Sequence, residues 1–146
     1  MRPLAPTDPR NPPATSLATR AVMLANVGRG TSSEVALRQA LRAAGARGYR
    51  LNLRTEGIRP DIVFTRQRLA VFLHGCFWHR CPTCRYPLPK SHRAFWVTKF
   101  RRNRQRDRMQ RRHLEALGWR VVELWEHEIR GDPRAAAAHV IAALSG

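Results

Sequence analysis

Three cysteines and the histidines around them hold the densest chemistry in the chain. Cys76, Cys81 and Cys84 form a C-x4-C-x2-C run, with His74, His79 and His92 close by. An odd number of cysteines packed into nine residues does not make a secreted disulfide framework. Thiolates with imidazole suit zinc, and four of them in a tetrahedron make a closed structural site with no position left for chemistry. His127 is the candidate fourth ligand, because it follows a strand-like run and would bring a distant piece of chain to the cysteines. Each of these histidines also has a plainer reading, as a surface or nucleic-acid contact.

A second centre lies on a basic stretch. Between Lys99 and Arg112 there are eight basic residues and one acid, Asp107. At helical spacing Trp96, Phe100, Asn103, Asp107, Gln110, Leu114 and Leu117 fall on one stripe, so the acid faces inward while most arginines do not. A carboxylate there must be desolvated, which costs several kcal/mol, about 3–5 when its partner is lost. It either pairs with an internal arginine or orients a catalytic histidine or a metal-held water. Arg101, Arg104 and Arg108 are candidates for phosphate contact.

These groups need a scaffold. The 146 residues suit one domain, and Lys+Arg 27 against Asp+Glu 10 gives a net charge of +17 in a chain that is 43% hydrophobic. That balance predicts a folded protein with a polyanionic partner and argues against acidic substrates. No apolar run approaches a membrane span, and the start lacks a signal-peptide core, so an intracellular, cytoplasmic and nucleoid-associated protein is expected.

Five of the ten prolines fall in the first thirteen residues, which reads as a disordered arm over residues 1–14, with a single domain over 15–146. A helix is expected from Ser16 through Val27. A second follows the capping-box spacing of Thr31 and Glu34 and ends at Gly45. Strands are predicted over Tyr49–Arg54, Asp61–Thr65 and Leu69–His74, then a loop over 75–92 that lacks a core of its own. A long helix from His92 to Leu117, a buried strand Trp119–Trp125 and an Ala-rich helix from Pro133 complete an α/β domain, one sheet flanked by helices.

The run Phe72-Leu73-His74-Gly75-Cys76-Phe77-Trp78-His79 resembles the signature of the very short patch repair endonucleases. The likeness continues through residues 20–34, Arg59-Pro60-Asp61, Phe95-Trp96, Asn103–Asp107, Leu117–Val121 and Trp125-Glu126. It implies a restriction-endonuclease-like fold with a central mixed sheet. The implied activity is Mg²⁺-dependent nicking of double-stranded DNA on the 5′ side of the thymine in a T:G mismatch, such as deamination of 5-methylcytosine produces. It also implies a monomer, with mismatch-repair proteins as candidate partners.

By the same resemblance, Asp61 is the shared ligand of two Mg²⁺ ions, with the Leu73 backbone carbonyl as a further ligand. His79 is the general base oriented by Asp107, and His74 contacts a metal-held water or the phosphate. Glu34 matches another active-site acid, although its spacing from Thr31 fits a helix cap equally well. Phe77, Trp78 and Trp96 match residues that wedge into the duplex beside the mismatch. The Glu-x-Lys element common among nucleases of that fold is missing, and Leu73-His74 stands in its place. A non-catalytic zinc-containing nucleic-acid module, or a related nuclease with another target, would share the charge and the cysteines. Only a nuclease has a use for Asp61, His79 and Asp107.

Overall fold

The computed structural model describes residues 32–145. The expected arm, the helix from Ser16 and the Thr31 half of the capping box lie outside them. The elements run α1 (Ser32–Ala43), β1 (Arg50–Leu51), β2 (Ile62–Phe64), β3 (Leu69–His74), α2 (Arg93–Ala116), β4 (Arg120–Trp125), α3 (Glu126–Gly131) and α4 (Pro133–Ser145). The sheet order is β1-β2-β3-β4, antiparallel except for the parallel β3–β4 pair, whose crossover carries the cysteine loop and α2.

β3 reads LAVFLH and is almost wholly buried. Such a run follows from helices on both faces of the sheet. On one face Ile62, Phe64, Leu69, Val71, Val122 and Leu124 pack with Leu37 and Leu41 of α1, Ile129 of α3 and Ala137 and Val140 of α4. On the other, Val63, Ala70 and Phe72 meet Leu114 of α2 and Trp119. The mixed α/β sheet with flanking helices is therefore as the pattern predicts.

Gly118, at φ +86°, ends α2, and Trp119 N–H returns to Leu114 O at 3.0 Å. A left-handed residue just past a helix is the position glycine fits best. Leu117, placed on the inward stripe by spacing, instead caps the helix and is 41% exposed.

Two boundaries depart from expectation. The strand Tyr49–Arg54 shrinks to Arg50–Leu51: the Asn52 N–H still reaches Asp61 O at 3.1 Å in register with the pair, but its left-handed φ of 52° turns the chain out of the strand. The short helix α3, not anticipated, begins directly where β4 ends. Six residues give too few turns for a helical period to register.

Candidate active site and metal centre

Asp61 stands immediately before β2 and beside the carboxyl end of β3. Its N–H donates to Val71 O and its carbonyl accepts from Asn52, both at 3.1 Å, while its Oδ2 accepts the Leu73 N–H at 2.7 Å. The position of the carboxylate is thus set by three strands. Burial raises its pKa above the ordinary value; the Leu73 hydrogen bond offsets part of that rise, and the charge of Glu34 adds to it.

Asp61 lines a cleft of about 370 Å³ together with Glu34, Leu73, His74, Trp78 and His79. Glu34 comes from the first turn of α1 and is 6% exposed. Open α/β sheets characteristically bind ligands at this carboxyl end of parallel strands.

His79 follows a tight turn in which its N–H donates to Gly75 O at 3.0 Å. Its Nδ1 lies 2.5 Å from Asp107 Oδ2, so the inward acid of α2 meets a histidine rather than an arginine. Nδ1–H donates to the carboxylate, and Nε2 remains free to accept a proton. The contact is that of a short hydrogen bond, and His74, His79 and Asp107 together also bring three possible ligand atoms within 4.8 Å of one another.

Burial pushes the Asp107 carboxyl up, but the His79 hydrogen bond and the nearby histidines and Arg106 outweigh it, leaving the pKa below the ordinary value. A depressed carboxylate contributes stability above the ordinary range and loses it as pH falls through the depressed value. Asp107→Asn should therefore be less stable than the parent at neutral pH and equal to it in strong acid. Urea titrations at several pH values would read this; a difference that persists in acid contradicts it.

The opposite side of the cleft carries Lys99, Asn103 and Arg106, one turn apart along α2, and its rim carries Glu126. Sequence reasoning singled out none of the four as site residues. A 3–4 residue period on the stripe next to Asp107 was the available signal for Asn103 and Arg106. Carboxylates on one wall and cations on the other suit a phosphodiester bridged to a metal.

Cys76, Cys81, Cys84 and His127 converge, their ligand atoms all within 4.8 Å of one another. His127 Nδ1 is 3.3 Å from Cys76 Sγ and 3.5 Å from Cys81 Sγ. Zinc bonds of about 2.3 Å to sulfur and 2.0–2.1 Å to nitrogen place tetrahedral neighbours about 3.5 Å apart. The backbone amides of Thr83 and Cys84 point at the Cys81 sulfur. Burial pushes the Cys76 thiol up to about 12, a cost that a divalent cation reverses. His74, His79 and His92 stand apart from this cluster; His92 is the exposed, left-handed residue before α2.

Phe77 and Trp96, expected to wedge into DNA, are 5% and 3% exposed and pack with Phe100 in an aromatic cluster. Trp78 is partly exposed at the cleft, with Lys99 Nζ 5.1 Å from its ring centroid. Arg101, Arg104 and Arg108 are all exposed on α2.

The family model described as DNA mismatch endonuclease Vsr matches residues 15–85. The type II nicking enzyme V.NaeI of Lentzea aerocolonigenes is 42% identical over 123 residues, 82% of this chain and 74% of that protein. The type II nicking enzyme V.XorIIP of Xanthomonas oryzae is 42% identical over 102 residues, 69% of this chain and 74% of its own length. The DNA mismatch endonuclease Vsr of Escherichia coli is 41% identical over 73 residues, covering 50% of this chain and 47% of that enzyme. These likenesses, carried on an α/β domain with a carboxylate-lined cleft, define a DNA endonuclease. Within that class, the chain belongs to the very short patch repair endonuclease family. Among the described residues, no helix is long and apolar enough to cross a membrane.

Proposed function

We propose that this protein nicks one strand of double-stranded DNA 5′ to the thymine of a T:G mismatch, by Mg²⁺-dependent phosphodiester hydrolysis in DNA repair. The observation that carries the reading is the shared cleft, which Asp61, His74 and His79 line together with Lys99 and Arg106, while Asp107 of α2 holds the His79 ring from behind. The fold is taken to be restriction-endonuclease-like, and the enzyme to act as an intracellular monomer. Mismatch-repair proteins are its candidate partners.

The residues fit Mg²⁺. Asp61 is a half-buried carboxylate whose pKa is raised by desolvation and by Glu34, and hard oxygen donors are what this ion takes. Asp61 and the Leu73 carbonyl would hold the ions, with Glu34 beside them. Bound there, Mg²⁺ supplies Lewis acidity at the phosphate.

The chain's own groups do the rest. Asp107 holds His79 in the tautomer whose Nε2 accepts a proton from the attacking water, and His74 faces the same water or phosphate. Lys99 and Arg106 neutralise the phosphate, and Arg101, Arg104 and Arg108 track the backbone. The Cys76, Cys81, Cys84 and His127 cluster fits one structural zinc by donor set and spacing, and it holds the turn that carries His79. Trp78 is positioned to lead the wedge; Phe77 and Trp96 follow only if their cluster opens, and an unstacked step costs least at a mismatch.

The test is a nicking assay on paired duplexes that differ only in T:G against C:G, with Mg²⁺ or with chelator, and with the nick mapped. Cleavage of both duplexes alike, or cleavage in chelator, overturns the reading. Asp107→Asn should slow nicking roughly 10²- to 10⁴-fold with duplex affinity unchanged. Affinity should also fall steeply with salt, on the order of 10³- to 10⁵-fold between 50 and 200 mM if about 6 to 10 phosphates are neutralised. A flat salt response in a filter-binding titration contradicts phosphate tracking by α2.

A further inference from the structure

We infer that Glu123 is a positioning residue for His74, so that the cleft holds two imidazole–carboxylate pairs instead of one. The inference rests on the proposed reading in which His74 acts at the scissile phosphate.

β4 alternates: Val122 and Leu124 enter the core on one face of the sheet, while Val121 packs on the face covered by α2. Glu123 shares that second face, where another β-branched apolar residue would continue the pattern. It stands opposite Phe72 in the parallel register, two pairs before His74 and Trp125 and so on the same face as they are. An acid on a helix-covered sheet face is costly to desolvate unless partners compensate it. Residues that break a local rule in this way are usually functional.

The surroundings of His74 identify the use. The residue is 5% exposed, with ring centroids 6.3 Å from Phe72, 5.3 Å from Trp125 and 4.4 Å from His79. Its Nε2 lies 3.7 Å from Glu123 Oε2. The same oxygen is 3.5 Å from Arg111 Nη1 of α2, and Arg111 is itself held by Glu115, at 2.9 Å from its Nε.

Asp107, His79, His74 and Glu123 therefore form a row between the sheet and α2, with each carboxylate at its own imidazole. At 3.7 Å the inner contact is an ion-pair separation rather than a hydrogen bond. Catalytic contacts of this kind commonly tighten when substrate is bound. Engaged through Nε2, the His74 ring leaves Nδ1 as the nitrogen for the cleft, and Arg111 keeps the carboxylate from swinging away.

The test uses the full zinc-loaded chain on the T:G duplex with saturating Mg²⁺. Glu123→Gln should lower kcat about tenfold and Glu123→Ala on the order of 10- to 100-fold, with KM for DNA, zinc content and melting temperature close to the parent. Imidazole ¹⁵N spectra of the metal-free-cleft protein should show the His74 ring signals displaced in both variants and those of His79 retained. If Glu123→Ala does not fold, the isosteric Glu123→Gln carries the test.

Parental kcat in the Glu123 variants while His74→Ala is impaired overturns the inference and leaves the proposed function standing. A loss confined to KM also overturns it, since that describes a DNA contact. Parental nicking by His74→Ala, in contrast, strikes the reading of the cleft itself.

Discussion

Asp61→Asn is expected to abolish nicking and at the same time to make the chelator-treated protein harder to melt. The first effect follows from removing the carboxylate proposed to anchor the metal, whose stabilisation of the developing charge would be worth several kcal/mol. At about 1.4 kcal/mol per factor of ten, that is roughly a thousandfold or more in rate.

The second follows from the sign of the Asp61 shift. Burial, with Glu34 nearby, raises this carboxyl in the folded state. The stability such a group contributes is full below its unfolded pKa and is lost as pH rises through the folded one. Above the folded value the parent therefore carries an ionised, half-buried acid that the folded state resists. Asparagine removes the charge and can still accept the Leu73 N–H. For each kcal/mol relieved, the melting temperature should rise roughly 2–8 °C.

Differential scanning calorimetry in chelator at pH 7 and below pH 4 reads both parts: a gain at the higher pH that disappears at the lower. Adding Mg²⁺ should raise the parent toward the variant and leave the variant unmoved. A variant less stable than the parent at pH 7 in chelator would show that Asp61 holds the strands together rather than waiting for a cation.

Removal of the proposed zinc is expected to have the other large effect. The segment from Gly75 to His92 contains no regular element, and its backbone includes left-handed residues at Arg80, Arg85 and His92. The Phe77–Trp96–Phe100 cluster, the His79–Asp107 contact, the Asn103 hydrogen bond to Trp78 O and the Cys3His group tie it down. A ligand present at a thousand times its Kd stabilises the folded state by about 4 kcal/mol, so prolonged chelation should lower the melting temperature by roughly 10–20 °C. It should also end nicking even after Mg²⁺ is restored, because His79 sits in the turn that the metal fixes. Cys84→Ser should do the same and leave less than one zinc per chain by atomic absorption. Full zinc occupancy in Cys84→Ser would remove Cys84 from the ligand set.

The sequence made different parts of this molecule visible for different physical reasons. β3 and α2 were legible because a six-residue apolar run and a 24-residue helix carry strong periodic signals. Asp107 was legible because a single acid on an apolar stripe is conspicuous. His127 was found by asking what could close a three-cysteine set.

β1 was overextended because its side chains are exposed and its end is decided by one left-handed asparagine. Lys99, Asn103, Arg106 and Glu126 went unseen as a group because they line one cleft only when α2 and α3 meet the end of the sheet. Glu123 had a local signal, an acid in a strand of otherwise apolar alternation, whose meaning depends on a histidine 49 positions earlier standing on the neighbouring strand.

The cysteine set is closed by a residue 51 positions beyond Cys76, past the last strand. A chain still emerging from the ribosome can make β2, β3 and even α2 with Asp61, His79 and Asp107 all synthesised, and yet it lacks the parallel partner for β3 and the ligand that fixes the His79 turn. Cutting ability thus arrives late in synthesis and all at once. A prematurely terminated product that stops short of His127 would be a basic fragment able to cling to DNA and unable to break it.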